Sequence, residues 1–369
     1  MQYRIFGVWR LLAAFLVMAY HYCHYAPESR EALIAWFERL MPLLDMFFMI
    51  SGVLIYQRYS GRVLSWDGYK TYLIRRLARL YPLHLLTTGF FVLVGFAVMG
   101  GLVQSNGADG GMERYDWSEL PSNLLLTQAW GVSRALTFNY VSWSISAEWF
   151  CYLLLPLIAF ADKKGGIAGM ALLLAAVLVA LESLTSAGIM PYESWMKAST
   201  WGAYRAFADF IIGAVIIRSA LASEISLKSP WPAWTLIFIA CLGMQAGWAP
   251  YLSVFLIALA LFLAAISEKN APQRSAWLDV VAPLTAVSFG IYLWHPIFEA
   301  ILISFVWRQY IEPSGLIGFF PFLILPMALT CLTAWLSYAL LEKRITNGIL
   351  VFAGMKRPEK ALESAPANA

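Results

Sequence analysis

The chain is 369 residues long, 60% hydrophobic and 15% aromatic, with only 13% charged residues. That composition excludes a water-soluble domain and a disordered chain, and describes an all-α polytopic membrane protein. The net charge of +4 is spread over loops instead of being gathered on one face, which argues against nucleic acid as a partner.

Apolar segments of spanning length fall near 5–25, 41–57, 81–103, 141–161, 166–187, 204–220, 231–247, 250–267, 284–307 and 316–340, which predicts about ten transmembrane helices. With the N-terminus in the cytoplasm, eighteen basic residues lie inside and seven outside, leaving aside Arg10. The bias holds at every inner loop and places both termini in the cytoplasm. The first stretch has no small-residue cleavage site after Tyr20 and is expected to stay as an uncleaved helix. Residues 1–354 are expected to form one membrane domain, and the polar stretch 355–369 a disordered tail. No internal repeat of the kind that builds secondary transporters is visible. The four cysteines lack CxxC spacing, so no metal or redox site is expected.

In the first span, RLLAAFLVMAYH (10–21) sets Arg10 and His21 eleven residues apart. At about 100° per residue they share one helix face, about 16 Å apart along the axis. Ionisable groups in apolar helices are costly and face protein-lined cavities or pathways. His21 is suited to general-base or proton-shuttle work near neutral pH, whereas His24, three residues on, reads as an interfacial histidine. Asp45 and Asp209 are intramembrane acids with the character of structural partners.

The inner loop WDGYKTYLIRRLARLYP (66–82) has the pattern of an interfacial amphipathic helix leading into the third span. Its Arg75, Arg76 and Arg79 suit either a ligand with several phosphates or anionic lipid. The outer loop, about 104–140, begins with SNGADGG (105–111) and continues acidic and aromatic, placed to cover a site at the outer face.

Glu148 lies seven residues into the span beginning at 141, at a depth comparable to that of His21, so the two are expected to pair as acid and base. Trp143, Ser144 and Ser146 share that segment, and the serines read as interhelical hydrogen-bonding groups or, alternatively, as nucleophiles. In SFGIYLWHP (288–296), Ser288, Tyr292 and His295 enter the ninth span, and Pro296 is expected to kink or open the helix. The sixteen tryptophans mostly fit interfacial belts, and those near the outer side also offer flat faces to a sugar.

Taken in order, RLLAAFLVMAYH (10–21), FFMISGVLIYQRY (47–59), RRLARLYPLHL (75–85), WSISAEWFCYLLLP (143–156) and SFGIYLWHP (288–296) resemble the membrane-bound acyltransferase-3 family, whose members transfer acyl groups from acyl-coenzyme A to carbohydrates. The resemblance spans nearly the whole chain. It implies that His21 is the catalytic histidine of the arginine-x10-histidine motif and Glu148 the acid of the serine/glutamate/tryptophan block. It also implies that Arg10, Arg75, Arg76 and Arg79 meet the coenzyme, with Trp143, Ser144, Ser146, Tyr292 and His295 as supporting or substrate-binding residues. One departure is that Pro296 directly follows His295, where the family has histidine-x-proline.

The expected protein is thus a multi-pass protein of the cytoplasmic (inner) membrane, in contact with membrane lipid. It would move an acyl group, acetyl first, from cytoplasmic acyl-coenzyme A to a hydroxyl of a cell-envelope or exported saccharide, free or lipid-linked, without a metal. Transfer by direct attack and transfer through an acyl-enzyme both stay open. So do two rival readings, a non-enzymatic transporter or flippase of a lipid-linked glycan and the acylation of a small cytoplasmic acceptor.

Overall fold

The computed structural model describes residues 3–27, 30–102 and 111–355; the start of the outer loop and the tail beyond Met355, expected above to be disordered, lie outside the described residues. Among the described residues seven helical stretches are long and apolar enough to cross a membrane. These stretches take in eight of the ten expected spans. The stretch Tyr140–Ser186 holds two spans joined without a loop: helix α6 (Trp143–Ser186, after α1–α5 below) is broken at Gly166, where φ is 58° and ψ −146°. Only glycine adopts that backbone readily, so the chain turns there between Lys164 and the next span. Two more spans fall outside the seven: α7 (Gly202–Ala222) carries Arg205, Asp209 and Arg218, and α8 (Trp231–Gln245) is only 15 residues long.

The bundle opens with α1 (Arg4–Cys23), α2 (Arg30–Arg39), α3 (Leu43–Tyr59), α4 (Trp66–Met99) and the short α5 (Leu120–Leu124). After α6, α7 and α8 come α9 (Pro250–Asn270), α10 (Ala282–Ala286), α11 (Ser288–Phe298), α12 (Glu312–Ser314), α13 (Phe319–Ser337) and α14 (Lys343–Phe352). The interfacial helix expected at 66–82 is not separate. It is the first half of the 34-residue α4, started by Ser65, whose hydroxyl accepts from the Gly68 N–H at 3.3 Å. Polar α2, which no apolar run announces, lies across the outer end, where Gln245 Nε2 donates to the Trp36 carbonyl at 2.8 Å.

Most of these helices are apolar all round, as helices bathed by lipid or buried in a bundle must be, so their packing is specified by small residues and by a few buried charges. α3 and α7 cross at near backbone contact. A Cβ on Gly52 would stand 2.2 Å from the Phe210 carbonyl oxygen, and one on Gly213 would stand 2.0 Å from that of Met49. Such close approach is how small residues hold helices together where hydrophobicity supplies no drive. At the outer end of this seam Arg205 Nε and Asp45 Oδ1 form a buried ion pair of 2.5 Å, with Asp209 beside it. Asp45 thus serves as the counter-charge of Arg205.

The start of α1 is fixed from a distance. Glu268 Oε1, at the end of α9, accepts the N–H groups of Arg4 and Ile5 at 2.9 and 3.2 Å, which neutralises two of the unpaired donors and the positive dipole end of the helix. α1 then packs along α11 and α3. Beyond Pro296, α11 widens into a π-helical segment, Glu299–Ile311, the local opening that a proline inside a span demands.

Candidate active site

A cavity of about 570 Å³ enters the bundle from the end that carries the basic loops, a size normal for a small-molecule site. Along α3 it runs from Arg58 through Leu54 and Ile55 to Ser51, residues repeated at three- and four-residue steps and so on one face. α4 contributes Arg76 and Arg79, α1 contributes Arg10, α6 contributes Glu148 and Tyr152, and α11 contributes Phe289. Four guanidinium groups therefore face one carboxylate. Glu148 Oε1 accepts from the hydroxyls of Ser51 and Tyr152, each at 2.6 Å, and is near enough to Arg10 to act as its counter-charge.

The guanidinium of Arg76 lies over the ring of Tyr59 at 5.0 Å and near that of Tyr152 at 5.9 Å, and donates to the Tyr59 hydroxyl at 2.9 Å. Arg10 lies over the Phe47 ring at 4.7 Å. The Nε atoms of both arginines are buried with no hydrogen-bond partner among the described residues. Buried donors of this kind in a concave basic wall fit an anion with several acceptor oxygens, such as a nucleotide carrying phosphates.

A second polar cluster lies toward the outer end. The His21 ring stacks on that of His295 at 5.4 Å, meets the edge of Tyr140 at 4.9 Å, and has His24 at 6.1 Å. Glu299, one turn after His295, accepts from the hydroxyls of Tyr140 at 2.6 Å and Tyr25 at 3.3 Å. Arg114, from the outer loop, lies over the Tyr140 ring at 5.0 Å and donates through Nε to the Phe138 carbonyl. His295 is fully buried, whereas His21 is partly accessible. The outer loop thus covers this cluster, through residues after the stretch 103–110.

The sequence-derived residues divide between the two places. Arg10, Arg76, Arg79 and Glu148 line the cavity; Arg75, one position round α4, does not. His21 and His295 come together in the outer cluster. The expected contact pairing of His21 with Glu148 is not what the structure shows. Glu148 turns toward α3, with its hydrogen bonds on Ser51 and Tyr152, while His21 turns toward α11. Nor are the two at one depth: Tyr140 already lies beside His21, so the eight residues from there to Glu148 carry the carboxylate inward to the cavity that Arg10 lines. Tyr292 donates to the Val141 carbonyl at 3.0 Å, the carbonyl that Ser144 also reaches at 3.2 Å. Ser146 is structural, since its hydroxyl donates to the Leu126 carbonyl and accepts from the Ala129 N–H. Trp143 packs its ring against Gly202 and Phe48.

Sequence reasoning missed Ser51, Tyr59, Tyr152, Tyr140 and Glu299. Glu299 was legible, because an acid four residues after His295 in an apolar span carries the same signal as Glu148. The tyrosines and the serine carry no charge and interrupt no hydropathy pattern.

The family model described as an acyltransferase domain, Acyl_transf_3, matches residues 5–341, nearly the whole chain. Acyltransferase MdmB of Streptomyces mycarofaciens is 34% identical over 113 residues, 29% of this chain and 27% of that protein. The similarity therefore spans about a quarter of the relative's length. No solved structure matches the chain. With the family model covering every element that builds the cavity and the histidine cluster, the protein belongs to the Acyl_transf_3 family of acyltransferase domains.

Proposed function

We propose that the protein is an O-acyltransferase of the cytoplasmic membrane which takes an acyl group, acetyl first, from acyl-coenzyme A and passes it to a hydroxyl of a cell-envelope or exported saccharide. The observation that carries this reading is the position of the two ends of one helix. Arg10 stands in a basic cavity at the end that carries the basic loops, and His21, on the same face of α1, stands in the outer cluster. About 16 Å of helix separate them, and the thin pantetheine arm of coenzyme A has the shape to bridge that depth.

In this reading Arg76 and Arg79 hold the nucleotide phosphates, with Arg58 beside them, and Arg10 meets the donor deeper in. Glu148, pinned by Ser51 and Tyr152, neutralises and orients Arg10. His21 takes the proton from the acceptor hydroxyl as its oxygen attacks the thioester carbonyl carbon. When the tetrahedral adduct collapses the carbon–sulfur bond breaks, and the thiolate leaves to be protonated as free coenzyme A. The imidazolium formed meanwhile lies against the ring of His295, with Glu299 held nearby through Tyr140. General-base help of this kind is worth about 10²–10⁴-fold.

The test is release of coenzyme A from acetyl-coenzyme A by purified protein, wild type against His21→Ala, with and without crude cell-envelope glycan. Glycan-stimulated release that disappears in the variant, with coenzyme A binding kept, is the expected result. Normal turnover in a folded His21→Ala preparation refutes the role of His21. Absence of both release and binding in the wild type favours a transporter of lipid-linked glycan.

A further inference from the structure

Between the floor of the donor cavity and the histidine cluster lies one more helical turn, and three helices agree on what fills it. The cavity ends at Ser51 on α3, Glu148 on α6 and Phe289 on α11. One turn farther out, on the same faces, stand Phe47, Ser144 and Tyr292. Phe47 and Tyr292 close the layer: their rings stack at 6.5 Å with planes 21° apart. Phe47 touches Arg10 below, and the Tyr292 ring meets His295 at 5.8 Å above. Arg10, Phe47, Tyr292, His295 and His21 thus form one continuous ladder of ring and guanidinium contacts from the cavity to the outer cluster. Tyr292 is buried, whereas Phe47 is partly exposed.

An acyl group carried on a thioester at the Arg10 level and delivered at the His21 level passes through this layer. We propose that the Phe47 and Tyr292 rings form the acyl slot, and that their bulk restricts transfer to short acyl groups. The inference rests on the acyl-coenzyme A reading above and adds the residues that select the acyl length. Ring bulk is a direct selector here because each extra methylene that fits or fails to fit an apolar pocket changes specificity about 10- to 200-fold.

The experiment measures coenzyme A release from acetyl-, butyryl- and hexanoyl-coenzyme A by full-length protein in detergent, with glycan acceptor present and coenzyme A affinity measured alongside. Wild type is expected to prefer acetyl. Phe47→Ala and Phe47→Leu are expected to raise the hexanoyl-to-acetyl ratio of kcat/KM by about tenfold or more, at unchanged coenzyme A affinity. Tyr292→Leu is expected to do the same, and Tyr292→Phe, which keeps the ring, to leave the ratio where it was. An unchanged ratio in folded Phe47→Leu and Tyr292→Leu overturns the slot, as does a wild type that prefers hexanoyl. A shift in Tyr292→Phe overturns it too, by assigning selection to the hydroxyl. A wild type that consumes none of the three donors overturns the underlying acyl-coenzyme A reading instead, which separates the two failures. Should Phe47→Ala fail to fold, the two leucine variants decide the matter.

Discussion

Replacing Arg76 by alanine removes the best-defined anion-binding group of the cavity. Its guanidinium is oriented by the Tyr59 hydroxyl at 2.9 Å and by the rings of Tyr59 and Tyr152, and its Nε is left without a protein partner. A hydrogen bond from a charged donor contributes about 1.5–3 kcal/mol. Because about 1.4 kcal/mol is a factor of ten, losing one such bond to a phosphate weakens coenzyme A binding about 10- to 150-fold. Arg76→Lys keeps the charge but not the planar fork, and its affinity should fall between wild type and alanine. Calorimetric titration of coenzyme A into detergent-solubilised protein, at low and high salt, reads both the loss and its electrostatic origin, since salt should narrow the gap between variant and wild type. Pantetheine, which lacks the nucleotide, supplies the control and should bind all three proteins alike. The alanine variant also loses cation–π contacts of about 0.5–2 kcal/mol, so its thermal midpoint is recorded beside each titration. Unchanged coenzyme A affinity in folded Arg76→Ala, or an equal loss for pantetheine, would refute the phosphate assignment and return this cluster to lipid anchoring.

Other expectations address the scaffold and the outer cluster. Asp45→Ala leaves Arg205 buried without its direct partner and should destabilise the protein by about 3–5 kcal/mol, whereas the double change Asp45→Leu with Arg205→Met should recover most of that; equal thermal midpoints for single and double variants would contradict the pairing. Gly52→Ala pushes a methyl against the Phe210 carbonyl, a backbone atom that cannot swing aside, and should cost about 3 kcal/mol or more, visible as loss of the monodisperse peak on heated size-exclusion chromatography. Tyr140→Phe keeps the ring edge at His21 but removes the hydrogen bond to Glu299. It should lower kcat about tenfold, the equivalent of about 1.4 kcal/mol, with coenzyme A affinity unchanged; a loss confined to donor binding would place Tyr140 in the wrong site.

The ten apolar segments were legible in the sequence because span length is set by membrane thickness, a constraint that acts on each segment alone. The break inside α6 could also be read, since the Lys-Lys-Gly-Gly stretch at 163–166 interrupts an otherwise apolar run. What could not be read was azimuth. A helix that is apolar on every side carries no periodic signal of which face meets which neighbour, and counting from a boundary at 141 set Glu148 level with His21 although Tyr140 itself already lies beside that ring. The relative placement of Arg10 and His21 could be read because both lie on one helix, where spacing alone fixes their relation. The rings of Phe47, Tyr59 and Tyr152 stayed invisible for a related reason: an aromatic residue in an aromatic-rich span is ordinary until its neighbour is known.

The carboxylate of Glu268 beneath the first turn of α1 gives that helix a datum. Measured from it, Arg10 and His21 are marks on a rigid rule, and the distance between the cavity and the outer cluster is a property of one secondary-structure element, independent of how loops on either side vary. A rule of this kind tolerates drift in every other helix so long as its zero does not move. It follows that Glu268, remote from both places, sets the heights at which Arg10 meets the cavity and His21 meets the outer cluster.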